Sequence, residues 1–223
     1  MRRDEYGIIG QTDANDPSYL DFGDAPFSTG LMAFGGSSQD KKLMVLFITM
    51  DYRIVRHPYS TQNTGTHPHN DPRSVSRDQV IAFFAGCIGQ PNEWNANHAY
   101  VLSTCINYAK GWRVNKDILG PAHKYYLYKC AGVKPSIVLT AFAYLHQGCS
   151  ILWDCYIKPN SEKNQSIVMN TIFGKRWIKF LYYNHPDLYK NIDVYFNGWR
   201  DRAEIGQALK MRIGQEIFGH DRN

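Results

Sequence analysis

The chain has no pair of cysteines at C-x-x-C spacing, and its five, Cys87, Cys105, Cys130, Cys149 and Cys155, are odd in number. Neither a disulfide framework nor a zinc knuckle is therefore expected, and a reducing compartment fits best. It also lacks a glycine-rich phosphate loop, because Phe34-Gly35-Gly36-Ser37-Ser38 has neither the lysine nor the spacing of one. Its net charge of +5 is dispersed rather than gathered into a basic stripe, so no specific nucleic-acid partner is expected. No internal repeat and no Pro/Gly/Ser-rich linker interrupts the 223 residues, which suits a single globular domain over 1–223. The start, Met1-Arg2-Arg3-Asp4-Glu5-Tyr6, has no apolar core of the kind a secretory signal needs. The longest apolar stretch, Ile137 to Ile157, carries His146-Gln147-Gly148 at its centre and Asp154 near its end. Those groups are costly in lipid, so no membrane span is expected and a cytoplasmic setting follows.

What is present is helical periodicity. Apolar residues recur three and four apart in Trp94, Val101, Leu102, Cys105, Tyr108 and Trp112, and again in Ile137, Ala141, Tyr144, Leu145, Gly148 and Leu152. Further stripes run through Val168, Ile172, Trp177, Phe180 and Leu181, and through Ile205, Ala208, Leu209, Ile213 and Ile217. Gly89-Gln90-Pro91-Asn92, Gly120-Pro121, Lys134-Pro135, Pro159-Asn160-Ser161 and Asn184-His185-Pro186 punctuate them. The expected fold is all-α, an array of antiparallel helix hairpins resembling part of an α/α toroid, with about seven to nine helices. Leu43 to Met50 is assigned to helix from its surroundings. Residues 1–30 are expected to be irregular, and 57–75 to be a long loop of the kind that carries function.

The polar stretch from Asp21 to Gln79 holds the candidate site. Ser76-x-x-Gln79 is a capping box ahead of the helix Val80 to Ile88, with Asp78 in its first turn at the positive end of the helix dipole. Two carboxylates, Asp24 and Asp78, with Arg56, His57 and Arg77 as cations, are the groups glycoside hydrolysis requires: one carboxyl protonated, one ionised. In that reading Asp24 and Asp78 are catalytic, and Arg56, His57, Arg77 and Gln79 bind substrate. The competing structural reading makes Asp24 a turn residue and Arg56 part of a surface ion pair.

Gly23-Asp24-Ala25-Pro26-Phe27-Ser28-Thr29-Gly30, Arg56-His57-Pro58, Asp71-Pro72 and Ser76-Arg77-Asp78-Gln79 resemble, in this order, motifs of a family of uncharacterised phage and bacterial proteins. In that family an arginine usually precedes the T-G pair, where this chain has Ser28. The Arg77-Asp78 pair is similar to the substrate-binding R-D element of glucoamylase-like glycosidases built on helical toroids. The resemblances imply two functions: a glycosidase-like hydrolase whose ligand is carbohydrate, or a non-catalytic virion or assembly component, virion-associated, whose partner is a protein or a second copy of the chain.

Three other patterns compete. His67-Pro68-His69-Asn70-Asp71 could ligate a metal through His67, His69 and Asp71, with His98, His123 and His146 available as further ligands, but an exposed polar loop is the preferred reading. No cofactor is expected. Cys149, three residues from His146, lies in an apolar run where a thiol acts as a small core hydrophobe rather than a nucleophile. The aromatic and basic run Lys175 to Tyr183 suits an amphipathic helix better than a single-strand binding surface.

Overall fold

A computed structural model describes residues 2–12, 15–16, 18–59, 75–88, 96–152 and 183. Helix dominates, in α1 (Ala25–Phe34), α2 (Ser38–Leu43), α3 (Arg77–Ala85), α4 (Ala96–Lys110), α5 (Pro121–Cys130) and α6 (Ile137–Leu152). The all-α expectation needs correction, because two small antiparallel sheets are also present. β1 (Arg2–Arg3), β2 (Ile9–Thr12) and β3 (Leu20–Asp21) form a meander within the segment expected to be irregular. β4 (Arg113–Val114) and β5 (Asp117–Ile118) form a hairpin between α4 and α5, and Asn115 at φ 53° supplies the left-handed residue of its turn. Strands of two to four residues are too short to show an alternating pattern.

The assignment of Leu43 to Met50 also changes. Only Met44–Phe47 is helical beyond α2, as a 3-10 turn, after which Ile48 pairs with Ile54 as an isolated antiparallel bridge. The run is buried at both Met44 and Phe47. An apolar block of this length fits either state, and the bridge to Ile54 draws its end into extended backbone.

The core centres on the crossing of α1 and α3. Gly30 sits there because nothing larger fits: a Cβ on it would lie 2.2 Å from Ala82 O and 2.2 Å from Phe83 Cα. Around the crossing pack Leu31, Phe34, Met44, Phe47, Val80, Phe83 and Phe84, with Phe47 edge-on to Phe83 at 5.9 Å. α4 adds Val101, Cys105 and Ala109, and α5 adds Tyr126, Leu127 and Cys130. α6, capped by Ser136 Oγ accepting from Leu139 N, lies against α5 with Ala143 and Gln147 buried. Burial at Val101, Cys105 and Ala109, then at Ala143 and Gln147, follows the helical spacing expected of core-facing sides. The stripes beyond Leu152 lie outside the described residues.

No described helix is long and apolar enough to cross a membrane.

Candidate functional site

The backbone carbonyl of Gly23 is where the motifs meet. β3 ends at Asp21, whose carboxylate accepts from Gly23 N at 2.6 Å and turns the chain into α1. Gly23 O then accepts from Gln79 Nε2 at 2.6 Å and from Arg56 Nη1 at 2.9 Å. The same Gln79 amide donates to Asp24 Oδ1 at 2.9 Å. The other end of Gln79 completes the capping box: its Oε1 accepts from Ser76 N at 2.8 Å, while Ser76 Oγ accepts from Gln79 N at 3.2 Å. The capping box read from S-x-x-Q therefore has a second use, since the amide left over after capping ties α3 to the start of α1.

His57 is close by and committed elsewhere. Its Nδ1 accepts from Tyr59 N at 3.1 Å, which leaves Nε2–H to donate to Asp4 Oδ2 at 2.8 Å. Asp4 also accepts from Tyr6 N and Ile8 N, so the pair fastens the β1–β2 turn to the segment after the Ile48–Ile54 bridge. The ring is 4% exposed and stacks edge-on to Phe22 at 4.5 Å.

The structure thus gathers Asp24, Arg56 and Gln79 around one carbonyl, with His57 beside them in sequence but turned to Asp4. Arg77 and Asp78 face another way. Successive helical residues diverge by about 100°, so with Gln79 turned into the core, Asp78 is left at the surface with its side chain 58% exposed. It pairs there with Arg77 Nε at 3.2 Å. The Asp24 carboxylate accepts from Gln79 and that of Asp78 from Arg77. His67, His69 and Asp71 lie outside the described residues, among which no group of three His, Cys, Asp or Glu side chains could hold a metal ion. Cys149, expected in the core, is exposed. Of Lys175 to Tyr183 only Tyr183 is described, and it is exposed.

On the outer side of Arg77 the structure assembles Asp117 with His123 and His146, two histidines that the sequence offered only as further metal ligands. Asp117 of β5 accepts from Arg77 N at 3.1 Å, filling the first amide of α3 with a carboxylate. Next to it are His123, in the first turn of α5, and His146 of α6, their ring centroids 5.9 Å apart. Burial, the Arg77 charge and His146 push the His123 pKa down to about 4, against the opposing pull of Asp117. Burial and Arg77 lower that of His146 as well. The Nδ1 of His123 is buried without a hydrogen-bond partner, an uncommon state for a polar atom. Both histidines are visible in the sequence, but nothing there pairs residues from two different helices.

No protein-family model, curated protein or solved structure matches the chain.

Proposed function

We propose that the chain is a non-catalytic assembly component that associates through the outward side of α6. The observation carrying this reading is an apolar stripe left in solvent. Val138, Phe142 and Leu145 follow one another at i, i+4 and i+7 and are 65%, 58% and 63% exposed, with Ile137 beside them at 86%. The opposite side of the same helix is spent on α5 through Ala143 and Gln147. A helix apolar on both sides calls for a cover on both. The stripe suits a second copy of the chain packing α6 against α6 about a two-fold axis, with Ala141 small enough to let the helices approach. The phage side of the resemblance makes a virion the setting for such a component.

The hydrolase reading, with Asp24 and Asp78 as a carboxyl pair acting on carbohydrate in a partial α/α toroid, draws less support. Its two carboxylates are held by different partners on different sides of α3.

The test is the mass of the full chain in solution by light scattering, for wild type and for Phe142→Asp combined with Leu145→Asp. The reading requires an oligomer that the double variant reduces to a folded monomer of unchanged urea midpoint. A monomeric wild type would overturn it. So would a variant that loses stability as a monomer, since the stripe would then be covered by the chain's own residues. Polysaccharide hydrolysis that is lost in both Asp24→Asn and Asp78→Asn would restore the hydrolase.

A further inference from the structure

We infer that the β4–β5 hairpin and the start of α5 form a binding surface for single-stranded nucleic acid, centred on Trp112 and working by stacking and charge rather than by base sequence. The surface uses no residue of α6 and is independent of the apolar stripe. Contrary to the even spread expected, the net charge is local. Of the chain's 25 Lys and Arg and 20 Asp and Glu, the segment Ala96 to Leu152 holds six and one, so it carries +5 and the remainder, with 19 of each sign, carries none.

Four of those six cations surround one ring. Trp112, between α4 and β4, is 76% exposed, and Lys124 Nζ lies over it at 3.9 Å from the ring centroid. Lys110 ends α4 two residues earlier, Arg113 follows as the first residue of β4, and Lys116 stands in the hairpin turn. At no more than about 3.6 Å per residue, the Cα atoms of these three lie within about 14 Å of that of Trp112. Lys110, Arg113 and Lys116 are exposed, and none of the four cations makes an ion pair among the described residues. The one acid, Asp117, is turned to Arg77 N at the head of α3. The pairs Arg113 with Ile118 and Val114 with Asp117 hold the hairpin, and Leu119 N donates to Trp112 O at 2.9 Å. Val114 and Leu119 are buried, so the ring and its cations stand on a fixed base.

The chemistry of the surface selects the partner. Cations of one sign held close together repel one another, and a polyanion relieves that repulsion. The indole adds a second requirement. Lys124 takes one of its faces, and at 76% exposure the other is left in water as a platform for a flat group. A single strand meets both demands, because its unpaired bases stack on aromatic rings while its phosphates lie on cations. In a duplex the base faces are covered by their neighbours, and an acidic peptide brings charge without a flat ring. A membrane surface would require the apolar groups outermost, to reach past the headgroups. This hairpin instead has Asn115 and Lys116 at its tip, with Trp112 and Ile118 at its base.

The experiment measures the fluorescence anisotropy of labelled oligothymidylate and oligouridylate of about 15 nucleotides with the full-length chain, at about 50 and 200 mM NaCl. Saturable binding to at least one is expected, and binding to one alone assigns DNA or RNA. Four phosphate contacts at about −0.7 each give a log–log slope near −3, so affinity should fall roughly 50-fold between the two salts. Trp112→Ala should weaken binding about five-fold or more at unchanged slope, and Trp112→Phe, which keeps a flat ring, should restore most of it. Lys110→Gln combined with Lys116→Gln should flatten the slope by about 1.4. Lys129→Gln combined with Lys134→Gln makes the same charge change at and beyond the other end of α5 and should leave the slope as it is. Every residue substituted is exposed, so the fold is kept. No saturable binding at the lower salt would overturn the inference. So would binding untouched by Trp112→Ala, an equal loss from the two lysine pairs, tighter binding to a duplex of the same length, or binding to vesicles containing phosphatidylserine with none to either oligonucleotide.

Discussion

Replacing Gly30 by alanine sets two effects of opposite sign against each other, and the geometry decides between them. Inside an exposed helix the change would stabilise by about 1 kcal/mol, because alanine has the higher helix propensity and glycine the larger conformational entropy to lose. Here the added methyl would stand 2.2 Å from Ala82 O, 2.2 Å from Phe83 Cα and 2.7 Å from Ala82 C. Non-bonded carbon contacts need about 3.5–4.0 Å, and the obstructing atoms are backbone, which cannot swing aside. α1 and α3 would have to part by about 1 Å or more, and a gap of that size forfeits up to about half of the dispersion energy of the atoms facing it. Those atoms include the fully buried side chains of Leu31, Phe83 and Phe84. Overpacking of this kind costs about 1–3 kcal/mol, and immovable backbone puts this site at the upper end, so after the propensity gain of about 1 kcal/mol a net loss of about 2 kcal/mol is expected. Urea denaturation followed by circular dichroism measures it as a fall in midpoint at unchanged slope. Gly132→Ala is the comparison, since Gly132 has open space around it but φ +70°, and there only backbone strain of about 1–2 kcal/mol applies. A Gly30→Ala protein as stable as wild type, or more so, would refute the close crossing of α1 and α3.

Three further outcomes follow from the same contacts. His123 has a folded pKa of about 4 against 6.5 unfolded, so the unfolded chain binds the proton first as pH falls. Its contribution to stability is then complete above about pH 6.5 and lost progressively toward pH 4, by as much as about 3 kcal/mol. Urea midpoints at pH 7 and 4.5 should diverge in wild type and draw together in His123→Gln, and equal divergence in both would refute the assignment. Gln79→Ala removes the cap to Ser76 N together with the donors to Gly23 O and Asp24, and should cost about 2–3 kcal/mol by the same measurement; a change under about 0.5 kcal/mol would show the linkage to be idle. Cys87, Cys105 and Cys130 are buried, and burial raises the thiol pKa of Cys87 and Cys105 well above the usual value. In a Cys155→Ser background a thiol reagent should therefore label Cys149 alone until denaturant is added, and rapid labelling of more than one thiol would contradict the burial.

How far the sequence reaches depends on whether a feature is local. The helices α4 and α6 were legible because their apolar residues recur every three or four positions, and the capping box because its two partners are three residues apart. The β1–β2–β3 meander was not, since pairs such as Arg2 with Gly10 need only two residues of extended backbone on one strand and leave no period to detect. The site shows the same division. That G-D, R-H-P and S-R-D-Q belong together could be suspected from their order, and Gln79, Arg56 and Asp24 do meet at Gly23. Which side chain turns inward was open to local reasoning: a capping box draws its third residue back along the helix, which points Gln79 inward and leaves Asp78 at the surface. His123 and His146 stand on separate helices, so only the packing of α6 on α5 brings them together.

A single structural demand accounts for most of the residues that had suggested chemistry. For α1 to cross α3 at backbone contact, Gly30 must lack a side chain, and the start of α1 must be held beside the start of α3. The second requirement is met by Gly23 O, which takes donors from Gln79 at the head of α3 and from Arg56 in the preceding segment. Removing water from that carbonyl costs free energy unless it is paired, so a donor arriving from each neighbouring segment is what burying a helix start requires. The G-D pair, the arginine of R-H-P and the glutamine of S-R-D-Q then form one clasp with its polar atoms turned on one another, while the T-G pair supplies the bare backbone of Gly30 at the crossing. Groups that satisfy each other in this way have little left to offer a substrate. Among the described residues, polar atoms buried without a partner lie beside that clasp, at Thr29 Oγ1 within α1 and Nδ1 of His123 at the start of α5, while the apolar stripe of α6 is exposed. The apolar area of that stripe is what remains for a partner to cover.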